Sequence, residues 1–352
     1  MRLTPLFLVC TLAVSIAHPA AVPSDAGKAK TPTYSNTPGP YEVAVATYEW
    51  LDPTRDRAVP VKIYYPKAGN GPVPVIVFSH GLGGSRDGYE YLGRHWASCG
   101  YVSVHVQHKG SDTAVWKDKP QALEAMKTAA ADPQNSINRP LDVRFAIDQM
   151  AKMNREDTPL KGRLDLDRIG VAGHSFGAYT TLAVAGQAFI GPLGRESSLA
   201  DPRVKAAIPM SAPAPRRKDQ LDRVYGRIRV PCLHMTGTLD DSPIGNSPAT
   251  ERRIPFDHIG GADQYLITFT NGDHMIFSGR RPGARGGEND PLFQRLIRMS
   301  STAFWNAYLK GDAGAKAWLT EGGFEAVLAA DGKFEKKLTA APPKPAAAAS
   351  GL

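Results

Sequence analysis

The chain has 352 residues, 42% of them apolar, and carries 42 basic against 34 acidic side chains for a net charge of +8. The basic residues are scattered, with no dense Lys/Arg run and no basic stripe interleaved with aromatics, so the charge does not point to nucleic acid as a partner. Between its low-complexity ends lie about 290 residues, a length that suits one large α/β domain better than two small ones.

The first twenty residues read as an export signal. Arg2 supplies the positive start, Leu6 to Ile16 the apolar stretch, and Ala17-His18-Pro19-Ala20-Ala21 the small-residue exit. Cleavage near Ala20 removes Arg2 and no other charge, leaving a net of +7. The apolar stretch is too short to span a bilayer, and no other segment is long enough to do so. The expectation is a secreted or periplasmic protein with a flexible segment over 21–40, rich in Pro, Ala, Ser and Thr. Residues 331–352 are expected to be a low-complexity tail.

From residue 41 onward strands and helices alternate. Tyr41–Glu49 and Val59–Tyr65 read as a hairpin about the charged turn Asp52–Arg57. Val73–Ser79 is a near-continuous apolar run, as in a strand buried on both faces. A helix follows to Cys99, stopped by Gly100, and then the strand Tyr101–Val106. Leu92, Trp96 and Cys99 share a helical face, so Cys99 and Cys232 read as two buried thiols rather than a bridge. The insertion 107–139 follows a strand's C-terminal end, the side on which ligands bind in such sheets. It carries Trp116 and a short helix expected at Gln121–Ala130, and Pro140 is read as the next helix start. Strands then follow at Ile169–Gly173, Val204–Met210, Cys232–Thr236 and Tyr265–Thr270, and a long helix starts at Asp290-Pro291. The domain at 41–330 is therefore expected to be a mostly parallel sheet with helices on both faces.

Four motifs carry the chemistry. Gly173-His174-Ser175-Phe176-Gly177 joins an apolar strand to an Ala-rich helix, the context of a nucleophile elbow. The turn is so sharp that its flanking residues must be glycine. A serine needs an imidazole to take its proton and a carboxylate to hold that imidazole in one tautomer. In this architecture they follow in the order serine, acid, histidine. Leu233–Gly237 runs into Thr238-Leu239-Asp240-Asp241, and Asp240 is favoured over Asp241 by its spacing from Gly237. Both remain open to the alternative of loop-solvating residues. After the next strand, Asn271-Gly272-Asp273-His274 offers His274 as the base. The fourth motif, His80-Gly81-Leu82-Gly83-Gly84, follows the first buried strand. Its Leu82 N–H, with that of Phe176, is the candidate oxyanion hole. Neither nucleotide-binding glycine pattern is present, and His105 and His108 lack a nearby ligand cluster, so no cofactor or metal is expected.

With these residues in hand, the HGLGG turn, the GHSFG elbow, the GTLDDSP loop and the GDHMIF loop resemble the secreted bacterial α/β-hydrolases related to platelet-activating-factor acetylhydrolase and dienelactone hydrolase. The likeness runs from about Tyr41 to Leu309 and includes Gln107–Asp112 and Asn138–Asp142. It implies the α/β-hydrolase fold, Ser175, Asp240 and His274 as triad, and Leu82 and Phe176 as oxyanion donors. It departs in one respect. Eukaryotic phospholipid acetylhydrolases place their acid after the strand following the elbow, where this chain has Met210-Ser-Ala-Pro-Ala214. Dienelactone hydrolase proper uses a cysteine nucleophile, so neither substrate is carried over. The expected activity is hydrolysis of a small-molecule or lipid ester, short-chain esters first, with polyester or cutin hydrolysis as the rival. A non-catalytic binder on the same fold is the reading from another class. Trp116, Met275 and Phe277 are expected, with Leu82 and Phe176, to line a confined apolar pocket.

Overall fold

A computed structural model of the chain describes residues 34, 37–69, 71–191, 193–215, 217–242, 244, 247–279 and 287–339. The expected signal at 1–20, most of the segment 21–40, and 340–352 lie outside the described residues. In chain order the elements are β1 (Val43–Asp52), β2 (Arg57–Pro66), β3 (Val73–Ser79), α1 (Glu90–Ser98), β4 (Val102–Val106), α2 (Ala122–Ala131) and α3 (Pro133–Met153). Next come β5 (Leu164–His174), α4 (Phe176–Ala185), the small hairpin β6 (Ala188–Ile190) and β7 (Glu196–Ser198), β8 (Val204–Met210), α5 (Leu221–Tyr225) and β9 (Cys232–Leu239). The chain continues through α6 (Ile254–His258), β10 (Gln264–Asp273), α7 (Asp290–Leu309), α8 (Ala313–Thr320), α9 (Gly323–Leu328) and β11 (Gly332–Lys337).

The main sheet has the order β1-β2-β4-β3-β5-β8-β9-β10-β11. Its centre, β4 to β10, is parallel, because each strand returns through a helix laid on one face. The β1–β2 hairpin joins β4 antiparallel, in register from Val43↔Pro66 to Asp52↔Arg57. Two apolar layers sandwich the sheet. One packs Val75, Val77, Val104 and Val171 against Val143 and Ile147 of α3 and Leu182 of α4. The other packs Ile76, Phe78, Ile208 and Leu233 against Trp96 of α1 and Phe293, Leu296 and Trp305 of α7. Alternate residues of β3 thus enter opposite layers, which is why its sequence is apolar without a break. This is the α/β-hydrolase architecture.

Three local expectations need correction. Pro140 lies inside α3, not at its start. The helix begins at Pro133 with Asp132 as N-cap, whose carboxylate accepts from the Gln134 N–H at 2.8 Å. Residues 332–337, expected within a low-complexity tail, form β11 and pair antiparallel with β10 from Gln264↔Lys337 to Phe269↔Gly332. Cys99 is the C-cap of α1 and only half-buried, whereas Cys232 is buried, and both thiols are free. The short helix of the insertion falls where expected, displaced by one residue.

Candidate active site

The three candidate catalytic side chains sit at the C-terminal ends of three parallel strands, β5, β9 and β10, with β8 between the first two. Ser175 separates the last residue of β5 from the first of α4, with φ 57° and ψ −117°. This conformation is strained for a side chain and lifts the hydroxyl clear of both elements. A Cβ on Gly177 would stand 1.9 Å from the Ser79 carbonyl oxygen, and one on Gly173 would stand 2.4 Å from that of Gly177, so the elbow closes only with glycine at both positions. Asp240 directly follows β9 and His274 directly follows β10, two strands whose last residues, Leu239 and Asp273, are paired. The register of the sheet therefore brings acid and base together.

His274 Nε2 lies 3.0 Å from Ser175 Oγ, and His274 Nδ1 lies 2.7 Å from Asp240 Oδ1. With Nδ1–H donated to the carboxylate, Nε2 is left as the acceptor for the serine proton. Asp240 is wholly buried, yet its pKa falls. Burial alone would raise it, but the hydrogen bond from His274, the Arg252 charge and the Ser211 hydroxyl outweigh that and hold it ionised. Arg252, itself buried, stands 3.5 Å from Asp240 Oδ1 and donates to the Asp240, Ser211 and Ser247 carbonyls. Thr236 donates to Asp240 Oδ2 at 2.8 Å. Asp241, by contrast, is exposed, and its carboxylate accepts the Ala249 N–H at 2.8 Å.

Sequence reasoning missed Ser211. It directly follows β8 at φ 56°, and its Oγ lies 2.8 Å from both Asp240 Oδ1 and His274 Nδ1. The available signal was its place, immediately after a parallel strand beside the elbow.

In the oxyanion turn Gly81 N–H donates to Tyr89 Oη, Gly83 N–H to the Ser111 carbonyl and Gly84 N–H to the Gly81 carbonyl. Leu82, which lines the cleft, remains the turn's candidate donor. Phe176 N–H begins α4 and has no acceptor within the helix. A second relay ties the turn to the base. Tyr89 Oη lies 2.8 Å from His174 Nδ1, and His174 Nε2 lies 2.8 Å from the His274 carbonyl. The carbonyl can only accept, so His174 carries its proton on Nε2 and Tyr89 donates to Nδ1. Burial holds the His174 pKa well below its ordinary value, and the neighbouring His274 lowers it further.

Ser175, His274, Leu82, Phe176 and Met275 all face one cleft of about 1160 Å³, with Met126 of α2, Tyr179, Pro213 and Leu239 among its walls. Two expected pocket residues do not belong to it. Phe277 is fully buried and packs beneath His174, ring centroids 5.4 Å apart. Trp116 stands behind the oxyanion turn, where its indole N–H donates to the Gly83 carbonyl at 2.7 Å. The cleft volume is large for a small-ligand site, against the confined pocket expected. His105 and His108 form no ligand pair. His105 contacts the Gly88 carbonyl and Ser103, and His108 contacts Ser79 and Asp142.

Comparison with known proteins fits this geometry. Platelet-activating factor acetylhydrolase of Cavia porcellus is 28% identical over 149 residues, covering 35% of this chain and 34% of that protein. Cutinase 2 of Thermobifida cellulosilytica is 27% identical over 217 residues, 59% of this chain and 66% of that protein. A cutinase of Thermobifida fusca is 26% identical over 231 residues, 65% and 62%. The chain thus matches about a third of the acetylhydrolase and less than two thirds of the fusca cutinase. Residues 39–282 match the family described as PETase, PET hydrolase-like, over a span that holds the elbow, the oxyanion turn, Asp240 and His274. The chain belongs to the PET hydrolase-like family.

Proposed function

We propose that the protein is an exported serine hydrolase of carboxylic esters, working on short-chain esters through an acyl-enzyme. The carrying observation is the unbroken relay from Ser175 Oγ through His274 to Asp240, at 3.0 and 2.7 Å, opening on a cleft beside two N–H donors. Ser175 Oγ attacks the ester carbonyl carbon while His274 Nε2 takes its proton. Leu82 and Phe176 N–H groups hold the tetrahedral oxyanion. Collapse expels the alcohol, which receives the proton from His274. Water, deprotonated by the same nitrogen, then releases the acid and restores Ser175. Asp240 stays ionised and stabilises the imidazolium between steps. Export is supported by the charged start, apolar stretch and small-residue exit of residues 1–20. Among the described residues no helix is long and apolar enough to cross a membrane.

The test is hydrolysis of p-nitrophenyl acetate and butyrate, together with labelling by a fluorophosphonate. Turnover and labelling that both vanish in Ser175→Ala support the assignment. A folded wild-type chain that neither turns over nor labels would leave the non-catalytic reading. Polyester or cutin hydrolysis is the second reading, favoured by the large volume of the cleft and by exposed Leu239 and Met275 on its wall. Release of soluble acid from a solid polyester film tests it.

A further inference from the structure

The two segments that the sequence likeness included without a role, Gln107–Asp112 and Asn138–Asp142, meet beneath the oxyanion turn. Their centre is Arg139 of α3, fully buried. Its Nη2 donates to Ser79 Oγ at 3.0 Å and to the His80 carbonyl, its Nη1 to Ser111 Oγ at 2.8 Å, and its Nε to Thr180 Oγ1 at 3.0 Å. The guanidinium carbon lies 4.5 Å from the centroid of the Phe176 ring. Among the described residues no carboxylate lies within ion-pair distance of it. A buried cation held this way is expensive unless the neutral dipoles around it are fixed.

Those dipoles have one direction. His108 is neutral, held well below its ordinary pKa first by burial and then by the Arg139 charge. Its Nδ1–H donates to Asp142 Oδ2 at 3.0 Å, so its Nε2 accepts from the Ser79 hydroxyl at 2.9 Å. Ser79 Oγ in turn accepts from Arg139. The chain Arg139 to Ser79 to His108 to Asp142 therefore runs from cation to anion with every donor pointing the same way. Asp142 is anchored beyond it by Arg55 and Arg57.

On one side this guanidinium grips residues 79 and 80, which lead directly into Leu82. On the other it grips the first turn of α4 through the Phe176 ring and through Thr180, whose hydroxyl donates to the Phe176 carbonyl at 2.9 Å. We propose that Arg139 is the positioning residue of the oxyanion hole, one planar side chain that fixes the Leu82 and Phe176 N–H donors relative to each other. This rests on the reading of Ser175 as nucleophile. Lysine keeps the charge but cannot reach four acceptors in a plane and stack on a ring.

The experiment measures kcat, KM and the affinity of phenylboronic acid, which forms a tetrahedral adduct at an activated serine, for wild type, Arg139→Lys and Thr180→Val. Circular dichroism establishes that each variant is folded. Displacing one oxyanion donor lowers kcat by about 10²-fold or more, so Arg139→Lys is expected to lose about 10²-fold in kcat with KM unchanged. Boronate affinity should fall in parallel. Thr180→Val removes one grip and keeps the cation, so it remains informative if Arg139→Lys does not fold, with an expected loss of about tenfold. Folded variants whose kcat stays within about twofold of wild type, or whose loss lies wholly in KM with boronate affinity intact, overturn the proposal. A wild-type protein without turnover or phosphonate labelling overturns the underlying reading instead, and is a distinct result.

Discussion

Replacing Asp240 by asparagine removes a charge while keeping the outline of the side chain. In the wild type Oδ1 faces His274 Nδ1 at 2.7 Å and Oδ2 accepts from Thr236 at 2.8 Å. The Thr236 hydroxyl can turn to accept from a new amide, so the asparagine can keep its oxygen toward His274 and the imidazole tautomer survives. What is lost is the attraction between carboxylate and imidazolium. Unit charges about 4 Å apart attract by about 4 kcal/mol at an effective dielectric of about 20, which is about 10³ in rate. Arg252, 3.5 Å from the same oxygen, offsets part of that field in the wild type. Any fraction of the variant with its amide toward His274 adds to the loss. The expected kcat of Asp240→Asn on p-nitrophenyl acetate at neutral pH is therefore about 10³-fold below wild type. Asp241→Asn, altering an exposed residue that only accepts the Ala249 N–H, is expected to stay within about threefold. An Asp240→Asn enzyme within about tenfold of wild type, or a reversed ranking of the two variants, would refute the assignment of the acid.

Ser175→Ala should lower kcat by at least about 10⁴-fold and abolish phosphonate labelling with an unchanged melting temperature, and retained turnover would remove the elbow from the mechanism. Gly177→Ala brings a Cβ to 1.9 Å from the backbone oxygen of Ser79, so thermal melting should show a loss of at least about 3 kcal/mol or no folded protein; a near-native melting temperature would contradict the described elbow. Six histidines, His80, His95, His105, His108, His174 and His234, are held neutral by burial with pKa values below the ordinary one. Each therefore stabilises the fold fully above about pH 6.5 and loses that contribution as pH falls toward its folded value, together on the order of 8 kcal/mol per pH unit. The melting temperature should drop steeply below about pH 6, and a flat profile from pH 7.5 to 5 would be incompatible with neutral buried rings. Across p-nitrophenyl esters, a maximum of kcat/KM at acetyl to butyryl supports the short-chain reading, and a maximum at dodecanoyl, or brisk attack on solid polyester, supports the polymer reading.

The strand ends were legible because parallel strands buried on both faces are continuous apolar runs, and each candidate residue lies just past one. Side-chain direction was not. Phe277 and Trp116 sit in the expected segments, but a ring two or three residues beyond a turn can face either way. Here Phe277 packs beneath His174, and Trp116, still partly exposed, donates to the Gly83 carbonyl. Pro140 drew the eye as a helix start, although Asp132-Pro133 carries the stronger capping chemistry. Ser211 and Arg139 were hidden for a different reason. Their significance comes from partners far along the chain, Asp240 and His274 for one, Ser79 and Thr180 for the other, and no local pattern announces such meetings.

The strand β11 has a consequence for how the molecule behaves in company. Without it, β10, whose end carries His274, would present a bare edge of Tyr265, Ile267 and Phe269, open to pairing with another chain. The segment that covers it reads Gly-Lys-Phe-Glu-Lys-Lys, with Phe334 stacked on Tyr265 at 5.8 Å between centroids. One aromatic ring fastens the strand, Lys336 and Lys337 tie it back to Thr320, Glu325 and the Phe256 and Asp257 carbonyls, and exposed Lys333 leaves a charge on the rim. A chain cut after Asp331 should therefore aggregate before it loses its catalytic geometry, because the sheet would then end on an adhesive strand.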